Sequence, residues 1–207
     1  MRLLLVLIAL SLSLAGCQSF SPQKQTPQNS AAIDTAALKQ AKKHQYKLAR
    51  FNLWEAKGKI KITADGESQS AFFEWQQFKN NYAINFFGPF GYGNSWLRRT
   101  SKGVTLETPD LPIQRAASPE ELLYQTVGWQ APINDLQHWI KGLPAPKVMH
   151  HSQKLTPNGA LSEFNQQGWH IRFSRHQLHQ GLWLPGKITA HRQGIVILII
   201  VKQWSPR

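Results

Sequence analysis

Residues 55–64 read Glu55-Ala56-Lys57-Gly58-Lys59-Ile60-Lys61-Ile62-Thr63-Ala64. Small or apolar residues at 56, 58, 60, 62 and 64 alternate with charged or polar ones at 55, 57, 59, 61 and 63. A period of two places the first set on one face of a β-strand and the second on the other. One face is dry and one is wet, the pattern of an antiparallel sheet solvated on its outer side. Asp65-Gly66 follows, a hairpin dipeptide. Ala71, Phe73 and Trp75 then share a face, Lys79-Asn80-Asn81 turns the chain, and Tyr82, Ile84 and Phe86 resume the alternation.

The pattern spreads along the chain. Gly88-Pro89-Phe90-Gly91-Tyr92-Gly93 breaks it, Trp96-Leu97 opens another strand, and Ser101-Lys102-Gly103 turns into Val104-Thr105-Leu106. Residues 118–141 interrupt the strands with two short helices. Ser118 caps the first, Pro119 suits its first position, Glu121 completes a capping box and Gly128 ends it. Leu136, Trp139 and Ile140 share one face of the second, which Gly142 and Pro144 stop. Strands resume at Leu161–Phe164, Trp169–Phe173, Trp183-Leu184, Lys187–Arg192 and the apolar run Ile195–Val201. Both faces of that last run need cover, from the barrel wall and a helix. Ahead of all this, residues 31–49 read as a helix packed on the domain edge, with Ile33, Ala37, Leu38, Ala41 and Leu48 inward. Short strands around a helical insert predict a mainly β protein, a curved antiparallel sheet or barrel of about 10–11 strands.

The N-terminus carries a different signal. Met1-Arg2 precedes an apolar run from Leu3 to Leu14, then Leu14-Ala15-Gly16-Cys17. The run is shorter than the about 20 residues of a membrane span and reads as a signal peptide, residues 1–16, removed on export. Cys17 is the single cysteine of the chain. Its setting resembles the bacterial lipobox, which implies an acylated first mature residue. Residues 17–30 are rich in Gln, Ser and Pro and form a lipid-anchored flexible tether. Residues 31–207 form one domain. With no second cysteine the fold stands on packing, supplied by 8 Trp and 10 Phe. Lys and Arg number 24 against 11 Asp and Glu, which points to an anionic membrane surface or an acidic protein. Nucleic acid is excluded by the export signal.

Catalytic patterns are missing. The sequence holds no Gly-x-Ser-x-Gly elbow, phosphate loop or His-Glu-x-x-His. Glu120-Glu121 serves helix capping, and His150-His151, His176 and His179 read as solvated loop histidines. No enzyme, metal or cofactor is expected. The aromatic strand faces have two readings, a packed core or a lined cavity for an apolar ligand.

Residues 128–144, Gly128-Trp129-Gln130-Ala131-Pro132-Ile133-Asn134-Asp135-Leu136-Gln137-His138-Trp139-Ile140-Lys141-Gly142-Leu143-Pro144, resemble the signature of the LolB family. Phe87-Gly88-Pro89-Phe90-Gly91 is similar to the family's Asn-Pro-Leu-Gly turn. The resemblance covers the whole mature domain. It implies an unclosed antiparallel barrel with helices over an apolar cavity. It also implies an outer-membrane receptor that accepts lipoproteins from the periplasmic carrier LolA and inserts them into outer-membrane phospholipid. Gln18 in place of an inner-membrane retention Asp agrees with that destination. The family's exposed leucine corresponds to Phe90, which is expected to meet the membrane; the alternative is Phe90 folded back on Phe86, Tyr92 or Trp96. Ile60, Ile62, Phe73, Trp75, Ile84, Trp139 and Ile140 are expected to line or close the acyl-chain cavity. A solid-cored envelope scaffold and a lipid hydrolase are the other functional classes.

Overall fold

The computed structural model describes residues 35–206 apart from residues 92, 129 and 130. The signal segment 1–16, Cys17 and the tether lie outside the described residues. Helix α1 (Thr35–Arg50) leads into a long meander: β1 (Leu53–Ala64), β2 (Glu67–Phe78), β3 (Asn81–Phe87), β4 (Ser95–Thr100), β5 (Gly103–Thr108) and β6 (Leu111–Ala116). Helices α2 (Pro119–Val127) and α3 (Ile133–Trp139) follow. The chain returns through β7 (His150–Leu155), β8 (Leu161–Gln166), β9 (Trp169–Ser174), β10 (Gln177–His179), β11 (Leu182–Leu184), β12 (Lys187–Arg192) and β13 (Ile195–Pro206).

Eleven strands form one antiparallel sheet in the order β6-β5-β4-β3-β2-β1-β13-β12-β9-β8-β7. β6 and β7 are its two edges, so the barrel is unclosed, as expected from the resemblance. β10 and β11 form a separate ribbon. Hairpin chemistry sets the register. Asp65 and Gly66 take φ of +51° and +83°, the paired left-handed geometry of a two-residue turn between β1 and β2. Gln193 and Gly194, at +36° and +80°, do the same between β12 and β13. Each turn keeps the dry faces in step, and Ile60 stands between Ala71 on β2 and Ile199 on β13.

The inward faces make one core. Trp54 packs against Trp75 and Trp204 at 5.6 and 5.4 Å, and Trp75 against Tyr82 at 5.9 Å. α2 and α3 add Leu122, Leu123, Ile133 and Leu136 to it. Several readings change. α1 buries Ala41, His44 and Leu48, while Leu38 is exposed. His44 replaces it because Nε2 accepts the Trp183 N–H at 3.0 Å, tying α1 to β11. Burial, chiefly, lowers the His44 pKa and leaves that nitrogen free to accept. His150 and His151 lie in edge strand β7, and His179 in β10, where loops were expected. β6 and β7 lack the alternation that marks the central strands, since as edges they have little dry face. The run Ile195–Val201 gains no second cover: Val196, Leu198 and Ile200 remain half-buried on the outer face.

Candidate functional site: barrel interior and the Pro89–Gly91 turn

Ile60, Ile62, Phe73, Trp75, Ile84, Trp139 and Ile140 are all buried in one cluster, the first five from the inward faces of β1, β2 and β3 and the last two from the end of α3. Their settings differ. Ile84 is enclosed between Trp75 on β2 and Leu97 on β4. The Trp139 ring meets Trp169 and Phe164 edge-on at 5.8 and 6.5 Å. Its indole N–H donates to Gln166 Oε1 at 2.9 Å, which also accepts the Ala145 N–H. Gln166 Nε2 donates to the carbonyls of Ala145 and Val148. One fully buried amide thus fastens the end of α3 and the loop after it to β8. Sequence reading missed Gln166, which falls between the strands expected at Leu161–Phe164 and Trp169–Phe173 and ends β8 instead.

Two cavities open near the link from α2 to α3. One, of about 300 Å³, is lined by Ile62, Ala64, Asp65, Gly128, Arg192, Gln193 and Ile195. The other, of about 560 Å³, is lined by Glu120, Tyr124, Ala131, Pro132, Asn134, Asp135, Gln167 and Arg192. They share Arg192, whose guanidinium lies 4.7 Å from the Trp169 ring centroid. Of the seven expected residues, Ile62 is the one lining these cavities. The polar rim is organised: Glu120 accepts from the Asn134 backbone N–H at 2.8 Å and its side-chain amide at 2.9 Å, and Arg99 donates to Asn134 Oδ1. Burial, then the Glu120 charge, raises the Asp135 pKa. Glu120 therefore caps α3 across from α2, where capping of its own helix was expected, and Ser118 alone caps α2 by accepting from the Glu121 N–H.

A third cavity, of about 340 Å³, lies where the β2–β3 turn, α3 and the end of α1 meet, with Lys79, Arg99, His138 and Lys141 in its wall. Lys141 is buried and donates to the carbonyls of Leu48 and Phe51 at 3.3 and 2.9 Å. It caps the negative end of α1. Burial lowers its pKa to about 8.

The Pro89–Gly91 turn stands at the other end of β3. Pro89, Gly91 and Gly93 are exposed, and Asn94 braces the turn by donating to the Gly91 carbonyl at 3.2 Å and accepting from Asn85. The side chain of Phe90 lies outside the described atoms, as do Trp129 and Gln130. Among the described residues no cluster of three His, Cys, Asp or Glu could hold a metal, and no helix is long and apolar enough to cross a membrane.

The sheet of eleven strands is unclosed, and α2 and α3 pack their apolar faces into its core. The family model "Outer membrane lipoprotein LolB" matches residues 52–204. The chain belongs to the LolB family. The outer-membrane lipoprotein LolB of Pseudomonas putida (strain W619) is 33% identical over 196 residues, covering 94% of this chain and 91% of its own. That of Pseudomonas paraeruginosa is 33% identical over 209 residues, covering 100% and 98%. A crystal structure of a LolA superfamily protein from Nitrosomonas europaea superposes with a TM-score of 0.54 at 11% identity, covering 84% of this chain and 93% of that one. A putative outer membrane lipoprotein-sorting protein domain from Vibrio parahaemolyticus gives 0.54 at 9%, covering 83% and 92%. These low identities compare folds alone, and the fold is LolA-like. As a LolB family member the chain is an outer-membrane lipoprotein, a receptor of the lipoprotein localisation pathway and not an enzyme.

Proposed function

We propose that this receptor takes lipoproteins from the periplasmic carrier LolA by drawing their acyl chains into the apolar interior, then inserts them into outer-membrane phospholipid. The observation that carries this reading is the pair of cavities meeting at Arg192. They lie at the link between α2 and α3 and touch the apolar cluster through Ile62 and Ala131. In this reading Ile62, Ile195 and Ala131 meet the chain first. Ile60, Phe73, Trp75, Ile84, Trp139 and Ile140 form the floor that yields as α2 and α3 shift. Cys17 carries the anchor; fatty-acid labelling that survives Cys17→Ala removes it from this reading.

The energetics fit a passive relay. A C16 chain exposed to water costs on the order of 12 kcal/mol, at about 0.8 kcal/mol per methylene. Cargo must therefore pass between apolar sites, each favoured over the last. Phe90 acts at the second step, at an exposed turn that Asn94 holds in shape. Transfer from LolA to this protein, and from this protein to vesicles, is followed as two separate rates. Phe90→Glu is expected to leave acceptance near wild type and to cut release at least tenfold. Equal loss of both, or a lowered melting temperature, places Phe90 in the core instead. Failure of the wild-type domain to bind an acyl probe leaves the scaffold reading.

A further inference from the structure

One transverse row crosses the outer face of the sheet. Lys187 on β12 stands beside Ile200 on β13, Ile200 beside Lys59 on β1, Lys59 beside Phe72 on β2, and Phe72 beside Phe87 on β3. Two ammonium groups and three half-exposed apolar side chains share the row, which holds no acid. Phe72 and Phe87 stack at 5.7 Å. The ammonium groups of Lys59 and Lys202 each lie 5.7 Å from the Phe72 centroid. In the next row Lys61 adjoins Leu198. The adjoining row on the same face is of the ordinary wet kind, with Lys57 and Glu74 paired at 2.8 Å, whereas the Lys59 row has rings and cations and no acid. Lysines whose stems cover apolar rings while their heads reach outward suit a lipid interface.

We propose that this face docks the domain on the anionic phospholipid leaflet to which its lipid anchor already holds it. Three observations choose a membrane over an acidic protein. The row mixes rings and aliphatic groups with cations, where a purely electrostatic partner needs cations alone. Phe87 ends β3 two residues before Pro89, so the face runs directly into the turn that carries Phe90. A lipoprotein also meets its own leaflet at high effective concentration. Docking therefore lays the sheet along the membrane with the turn at its border. The inference goes beyond cargo handling, and its test uses no cargo.

The test uses the chain from Gln18 to Arg207, which lacks the acylated residue, in vesicle sedimentation. Phosphatidylethanolamine vesicles containing phosphatidylglycerol are compared with phosphatidylcholine vesicles. Binding is expected on the first and not the second. It is expected to fall as salt shortens the screening length from about 10 Å at 0.1 M to about 3 Å at 1 M. Each lysine at an anionic surface is worth about fivefold in partitioning, so Lys59→Gln with Lys61→Gln lowers binding about 25-fold. Lys39→Gln with Lys42→Gln removes the same charge from exposed positions of α1 and leaves binding within about twofold. Phe72→Ala weakens binding without changing its salt slope. Three results overturn the proposal: equal binding to both vesicles, equal loss in the α1 variant, or no vesicle binding beside salt-sensitive capture of the carrier. The last assigns the face to a protein. Loss of cargo transfer with vesicle binding intact would bear on the receptor reading alone.

Discussion

At the scale of single residues, two buried polar groups hold the helical insert in place. Gln166 satisfies the Trp139 indole, both backbone groups of Ala145 and the Val148 carbonyl. Gln166→Leu leaves these buried groups without partners, at about 1–3 kcal/mol each when unmet. Its urea midpoint is expected to fall by the equivalent of at least about 3 kcal/mol, with an unchanged slope. Lys141 is the other anchor, and its pH dependence has a definite sign. Its pKa is about 8 in the folded chain against an ordinary 10.5. Between those values the unfolded chain holds a proton that the folded chain has released, so stability from this group rises with pH. Below about pH 8 the penalty of burying the charge is fully present. Lys79 and Arg99 share its cavity, and His138, lowered to about 4 by burial and then by Lys141, stays neutral across that window. Denaturation of wild type and Lys141→Met from pH 7 to about 10.5 checks this: the rise belongs to wild type. A parallel profile in the variant refutes the assignment.

At the scale of elements, β1 is the strand on which both neighbours depend. It pairs over its whole length with β2 and nearly all of it with β13. A register shift between Lys57, which faces Gln203, and Gly58, which faces Val201, leaves Lys202 of β13 without a partner on β1. Gly58 sits at that bulge, and a Cβ there would lie 2.0 Å from the Ile200 carbonyl oxygen. Backbone cannot yield as a side chain does, so Gly58→Ala must break the β1–β13 pairing locally. We expect a loss of about 3 kcal/mol or more, or no soluble protein. A thermal midpoint within about 2 °C of wild type would show that the strands slide freely there. α3 is specified more locally. The Leu143 N–H reaches the His138 carbonyl and Gly142 N–H that of Trp139, at 3.2 and 2.8 Å, with Gly142 at φ +83°. This Schellman ending is the structural reason for Gly142-Leu143-Pro144 in the family signature.

At the scale of the whole molecule, the unclosed sheet has a stability gradient built into its order. β1 is central, flanked by the long strands β2 and β13, while β6 and β7 end the sheet. Amide hydrogen exchange is expected to be slowest in β1, β2 and β13 and fastest in β6 and β7, by several orders of magnitude. Uniform protection across all eleven strands would argue for closure in solution. A free edge invites pairing, and Pro112 on β6 and the exposed His150, His151 and Lys154 on β7 oppose it.

Alternation at 55–64, the turn dipeptides and the caps at Ser118, Gly128 and Gly142 were enough to set the β class, the helical insert and the inward face of each central strand. Those signals are local: dihedral preference and side-chain period act within a few residues. The 128–144 block was enough to place the chain in its family. Other features needed the folded chain. Gln166 and Lys141 are polar residues whose burial depends on partners 18–27 and 90–93 residues away. The edge positions of β6 and β7, the cavities at Arg192 and the Lys187–Phe87 row depend on which strands become neighbours. Five residues spread from position 59 to 200 share that row only because β13 returns beside β1. No window of sequence contains such pairing, because non-local contacts form only when the core brings distant strands together.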